Sequence, residues 1–502
     1  MKSISIFLVF MLTVAYANSQ GRCGTIQTEE MTQSFLDNKK HWNQTLAKGS
    51  MPNFIPVTFH LVANNDGSSQ PTEELALEGL CILNESFELS GSNMFFYVKE
   101  FNVINNTAIN TNPSGSGFLM RNQTDGASIN VFIVDEIASG GLGRILGFYS
   151  PNGDYLVMRK DQMTARAYTL EHEIGHFFTL RHTHYGWDGQ YYDPSNNGDT
   201  IFQTSITITE QGPIGDIVSI ELQDGSNCDT AGDLICDTPP DYGFGFSCNC
   251  CILPWEVFDR NGDAIEPLME NIMSYSQGCD IQTFSPDQLV AIQASLDANN
   301  RDYLRTNVTE TQYRPVRGEV ALTSPAAGET VEIFDEVTFE WEPVENAEYY
   351  IVTIIGSQTF RERTTEPRLT FTELQPNEFF ASWSVRAYNV FGGGCNGSMT
   401  RNFNTGTSSS AVNELDFVSE LNIYPNPITS NSDITVQFTS TQTELAQVKL
   451  HTISGALVHS SQVQIQSGEN RVLIDESNVT SGILILEIKT KSGSILEKII
   501  VE

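Results

Sequence analysis

Four of the chain's eight histidines lie between residues 172 and 184. In His172-Glu173-Ile174-Gly175-His176, a helix over 168–180 puts His172 and His176 one turn apart on one face, their side chains about 5–6 Å from each other. Two imidazoles so placed can close on one metal ion, while Glu173 points beside the metal and not at it. Zinc takes nitrogen and sulfur ligands in a tetrahedron, and a catalytic zinc keeps one position for water. A third protein ligand is therefore needed. His182, six residues past His176, can supply it if the helix ends near Thr179 and the chain doubles back; His184 is the alternative. Zinc would activate the water and polarise a carbonyl, and Glu173 would take the water's proton and pass it to a leaving amine. That chemistry is peptide hydrolysis without a covalent intermediate. Scattered surface histidines on an amphipathic helix would not cluster in this way.

The stretch from His172 to His182 resembles the long zinc-binding motif of the metzincin metallopeptidases. A second segment, Asn271-Ile272-Met273-Ser274-Tyr275, resembles their Met-turn. The resemblance implies that Met273 forms a hydrophobic floor under the histidines and that Tyr275 swings toward the metal to steady the tetrahedral intermediate. Where that clan has a glycine three residues after the second histidine, this chain has Thr179, so the turn either uses milder torsions or accepts strain. Cys228 to Pro239, ending in Asp237-Thr238-Pro239, resembles a segment of the pappalysin/cytophagalysin family. There calcium binds in this region, so Asp233, Asp237 and Thr238 could hold Ca2+. Relatives of this type often favour a basic residue after the cut, which implies an acidic pocket. Arg22-Cys23-Gly24 resembles the cysteine switch of metzincin zymogens, in which the thiolate fills the open metal position. Cys23 could equally form a disulfide with Cys81 or Cys395.

The elements that position these residues follow from pattern. Residues 1–20 read as a secretory signal, with Lys2, an apolar run and Ala15-Tyr16-Ala17; residues 21–50 form a pro-segment, and 51–312 the zinc peptidase domain. Ile55–Val62, Met94–Val98 and Ile129–Val134 read as strands and 72–90 as a helix, giving an α/β (α+β) metzincin-like domain whose edge strand could pair with an extended substrate. His60 is a strand histidine. Gly140–Gly143 is a turn. Ser285 and Pro286 open a closing helix. Nine cysteines in an exported chain imply disulfides around 228–279 and one leftover thiol; a structural zinc at Cys248, Cys250 and Cys251 is the alternative.

Residues 318–406 read as short alternating strands of a β-sandwich and resemble a fibronectin type III module. A Ser-rich linker, 407–414, leads to a second sandwich, 415–502. Its motifs Leu421–Pro427, Ile453–Gly455, Ser481–Leu484 and the closing strand resemble the C-terminal sorting domain of type IX secretion in Bacteroidota, which implies export by that machinery and cleavage of the domain. A net charge of −35 excludes nucleic acid as a partner, and no later apolar run is long enough to span a membrane. The chain is thus expected to be multidomain: a catalytic domain with one Zn2+ acting on protein or peptide substrates outside the cell, then two all-β sandwiches. The rival is a surface adhesin whose peptidase-like domain binds without cutting.

Overall fold

Ile55–Val62 alternates too little for a half-exposed strand: it is buried along its whole length, which suits a central strand covered on both faces. In the computed structural model it forms β2 (Asn53–Ala63). The structure describes residues 22–47, 52–138, 144–164, 168–246, 251–276, 279–331, 337–375, 380–395, 399–406, 418–428, 433–452, 457–474, 482–490 and 493–501. The signal segment 1–20, Gly140–Gly143, Cys248, Cys250, the linker 407–414, Ile453–Gly455 and Ser481 lie outside these residues.

The first compact unit runs to Glu319 and includes Val344–Tyr349 and Arg386–Gly397. It holds β1 (Arg22–Cys23), α1 (Glu29–Lys39), α2 (Trp42–Ala47), β2, α3 (Glu73–Leu89), β3 (Met94–Asn105), the short helices α4 (Thr107–Thr111) and α5 (Gly117–Arg121), then β4 (Ile129–Val134), β5 (Ile145–Ser150), β6 (Tyr155–Arg159) and α6 (Thr169–Phe177). There follow α7 (Pro194–Asn197), a small hairpin of β7 (Ser205–Thr207) and β8 (Ile217–Ser219), α8 (Pro286–Asp297) and α9 (Asp302–Thr306). Six strands form one sheet in the order β1-β5-β6-β4-β2-β3. β2, β3, β4 and β6 are parallel and β5 is antiparallel to β6. β1 then lies parallel to β5. One edge of the sheet is thereby formed by the residues expected to be a pro-segment.

α3 is fixed by Thr72, whose side chain accepts from the Leu75 amide, and buries Leu77, Leu80, Leu83 and Phe87, the apolar face that its spacing predicts. His60 sits within β2 with Nε2 2.9 Å from Asn130 Oδ1, stacked on Phe132. α8 opens with the capping box of Ser285 and Gln288 behind Pro286. Cys81 on α3 is bonded to Cys395, so the alternative of pairing either with Cys23 is corrected: Cys23 is a free, buried thiol. Cys228–Cys236 and Cys251–Cys279 staple the loops after α6. Cys251 is spent in a disulfide, which removes it from a structural zinc site.

In the second unit, Phe339, Trp383 and Phe403 pack ring to ring. Their strands belong to two sheets, one of six strands and one of three, whose aromatic side chains meet between them as in a β-sandwich. The last sandwich sets three strands (Val418–Tyr424, Ile434–Ser440, Gly468–Ile474) and four (Glu444–Thr452, Leu457–Ile465, Gly482–Lys489, Ser494–Val501) around a core of its own that includes Ile434, Phe438, Val448, Leu486 and Ile499.

Candidate metal centre

α6 carries His172 and His176 one turn apart, and every residue of the helix is buried. It is shorter than the expected 168–180, because the chain leaves it in a two-bond C-terminal turn. Thr179 N donates to His176 O at 2.9 Å and Leu180 N to Gly175 O at 2.9 Å. That turn needs a left-handed residue, and Thr179 takes φ +72°. A β-branched side chain there costs about 1–2 kcal/mol, so strain is accepted. The reward is direction: the chain turns back and brings His182 to the other two histidines.

The three Nε2 atoms meet. His172 and His182 are 3.1 Å apart, His176 and His172 3.2 Å, and His176 and His182 3.0 Å. Each Nδ1 is engaged elsewhere: that of His172 with Ile272 O at 2.8 Å, that of His176 with Leu180 O at 2.9 Å, that of His182 with Asp188 Oδ1 at 2.5 Å. These oxygens can only accept, so each Nδ1 carries the proton and each Nε2 presents a lone pair. Burial pushes His172 down to about 3, holding it neutral. Three buried lone pairs aimed at one another repel unless a cation stands between them. Ligands about 2.0–2.1 Å from zinc in a tetrahedron stand about 3.3–3.4 Å apart, close to the spacing seen, so the donor set fits that ion. His184 does not join; it stacks behind His182 at 4.8 Å, between Asp188 and Asp241. Asp188 is a residue the sequence did not single out. His182 and His184 hold its carboxyl well below the usual range despite burial, and it orients His182 as a carboxylate behind a metal ligand does.

Cys23 completes the constellation: its sulfur and the ligand atoms of all three histidines lie within 4.8 Å of one another. The neighbouring residues bind the other groups a peptidase would use. Thr25 Oγ1 donates to Glu173 Oε2 at 2.7 Å and accepts from Tyr149 N of β5 at 2.7 Å. Burial raises the fully enclosed Glu173 to about 7. Tyr275 OH donates to Gln211 Oε1 at 3.0 Å, and Gln211 in turn donates through Nε2 to Cys23 O. Arg22 pairs with Glu210 at 2.8 Å. A Cβ on Gly24 would come within 2.8 Å of Ile145, so only glycine lets this strand lie so close to β5.

Met273 packs beneath α6. A Cβ on Gly175 would stand 2.4 Å from its sulfur, which is why the helix carries glycine between its histidines. Asn271 holds the turn: its Oδ1 accepts from Met273 N at 2.9 Å, and its amide pairs with that of Gln288 on α8 at 2.8 and 3.1 Å. The Tyr275 ring lies 4.9 Å from that of His182. Arg301 secures the end of α6, donating to Phe177 O at 2.8 Å and stacking on the Phe177 ring. Asp237 accepts from Ser285 Oγ at 2.7 Å and Asp287 N at 2.8 Å and so caps α8. Asp233 accepts from Thr238 Oγ1 and Ile235 N inside the protein, with burial and the neighbouring Glu221 forming an acid pair pushed toward the protonated state.

Residues 422–502 match the family described as a secretion system C-terminal sorting domain. No curated protein matches the chain. Similar solved structures include FN3tt (19% identical, covering 17% of this chain and 95% of that one, TM-score 0.15). The fn3 domain of human collagen alpha-1(XX) chain is also 19% identical (20% and 92% covered, TM-score 0.15). Dimeric latent PorU from Porphyromonas gingivalis is 12% identical (38% and 20% covered, TM-score 0.15). The last sandwich is a type IX sorting domain, which engages that secretion machinery and routes the chain to the exterior or surface of a Bacteroidota-type cell. No helix among the described residues is long and apolar enough to cross a membrane.

Proposed function

We propose that the first unit is a zinc endopeptidase of metzincin, pappalysin-like type, exported by the type IX route and held latent by residues 22–47. The observation that carries the reading is the convergence of three protonless Nε2 atoms beside a buried glutamate. His172, His176 and His182 would hold the ion. Zinc, when bound, lowers the pKa of water to about 7 and polarises the scissile carbonyl.

The rest falls to the chain. Glu173 accepts the attacking water's proton at its carboxylate and returns it to the departing amine, a task suited to a carboxyl raised to about 7. Tyr275, once parted from Gln211, can donate its hydroxyl to the developing oxyanion. Met273 supports the histidines from below. Cys23 supplies a sulfur where water would stand, and Thr25 covers the base, so the segment 22–47 must leave before a substrate can lie along β5.

The test is metal content and gelatin cleavage by the chain after limited proteolysis has removed its N-terminal segment, beside Glu173→Ala. One zinc in both, cleavage by the wild type alone and loss on chelation support the proposal. Zinc in both and cleavage by neither favours the adhesin; absence of zinc from both removes the proposal.

A further inference from the structure

Beside the histidines lies a cavity of about 360 Å³ with His172 and Glu173 in its wall. Glu173 returns its proton to the departing amine, so the residue that carries this amine must lie against Glu173, and its side chain has this cavity to enter. We propose that the cavity takes an uncharged side chain immediately after the scissile bond and rejects lysine and arginine; the inference rests on the peptidase reading.

The argument is one of charge. Among the described residues the lining holds no carboxylate apart from Glu173, which the reaction occupies. Cys23, also in the wall, leaves with the N-terminal segment; the groups that stay include the amides and hydroxyls of Gln162, Thr169, Ser276 and Gln282, and Ile272 supplies apolar surface. Among the described residues the one cation in the wall, Arg144, is paired with Asp161, which Arg159 also engages at 3.1 Å, so that carboxylate is already shared by two guanidinium groups. The residues outside the described ones that flank the lining along the sequence include no acid: 139–143 reads Ser-Gly-Gly-Leu-Gly, 165–167 Ala-Arg-Ala and 277–278 Gln-Gly. Asp280 does not line the cavity and offers Tyr168 its backbone oxygen at 2.8 Å. A lysine or arginine entering here would lose water and meet no counter-charge, which is costly. A glutamine, methionine or leucine side chain meets amides, hydroxyls and apolar surface. An aspartate or glutamate would face Glu173. Despite the chain's acidic surface, the described wall of this cavity therefore offers no acidic pocket of the kind that a preference for basic residues demands.

The experiment is digestion of a proteome-derived peptide library by the proteolytically activated full chain, with mass spectrometry of the new amino termini. Uncharged residues are expected after the cut, with lysine and arginine depleted at least tenfold. As a readout independent of turnover, product peptides beginning with leucine or glutamine should raise the melting temperature of the activated protein more than those beginning with arginine. Gln162→Glu, on the half-buried rim, and Gln282→Glu, deeper in, each add a carboxylate; either one, if folded, should shift the preference toward arginine about tenfold. Cleavage before lysine, arginine, aspartate or glutamate by the wild type overturns this inference and leaves the peptidase reading standing. Zinc binding without any cleavage overturns both.

Discussion

Two segments of this chain are expected to be removed from it, and they are built in opposite ways. The N-terminal one, 22–47, has no core of its own: Cys23, Thr25 and Gln27 are buried against the histidines, Glu173 and Gln211, and its two-residue strand is a rung of another sheet. The C-terminal sandwich packs Ile434, Phe438, Val448 and Leu486 among themselves. A segment that depends on its host for order changes the host when it leaves. A segment with its own core works as an address label, and its loss leaves the rest as it was.

The largest expected effect tests the first half of that contrast. Cutting away the N-terminal segment should switch on peptidase activity, and Glu173→Ala in the cut protein should lower kcat/KM about 10²–10⁴-fold with zinc content unchanged. Activity without the cut would break the comparison. Next come the single contacts of the lock. Cys23→Ala in the uncut chain frees one metal position but leaves Thr25 on Glu173, so activity should rise only part of the way, and Thr25→Val should add to it. Hydrogen bonds to charged groups contribute about 1.5–3 kcal/mol each, which peptide hydrolysis assays on the single and double variants would resolve. Smaller still is Thr179→Gly, which relieves a positive φ and should stabilise the first unit by about 1–2 kcal/mol, read as a higher melting temperature with zinc retained; a lower one would mean that Thr179 contributes packing that outweighs its strain. The smallest effect is the sharpest for the second half. Removing 418–502 should abolish export in cells yet leave the zinc content and the melting transition of the first unit unchanged. A shifted transition would show that the label is also a structural support.

The sequence exposed those parts of the site that are close neighbours along the chain. His172, His176 and His182 are separated by a helical turn and a reversal, and the spacing itself shows that they can meet. Met273 and Tyr275 came from a short motif whose form survives without knowledge of the fold. The partners that orient and block the site were not legible, because they come from far away: Thr25 reaches Glu173, Gln211 reaches Tyr275 and Arg301 reaches Phe177 only after the sheet is assembled. Asp188 is near His182 in sequence but sits in a loop with no periodicity to mark it. The strands β5 and β6 follow a glycine-rich stretch, and β5 carries Gly147 in its middle where β4 is a nearly unbroken run of strand formers, so the antiparallel edge was missing from the expected sheet. The disulfide Cys81–Cys395 could not be chosen from pattern either, since spacing sets no limit on a bond across 314 residues. Composition drew attention to Asp237 as an acid in an acid-rich turn but could not show that it caps α8, whose start lies some fifty residues further on.

The position of β1 also fixes an order of events in time. Residues 22–47 are made before β5, but Arg22 and Cys23 pair with Ile145 and Gly147, and β5 can present its edge only after β6 and β4 have come together. The segment must wait as loose chain and dock at the end of folding. As the outermost strand, and only two residues long, it is also the one that can peel away with every other rung of the sheet left in place. In the proposed zymogen, latency would be gained in the last step of folding, and giving it up would part β1 from β5 without breaking any other rung of the sheet.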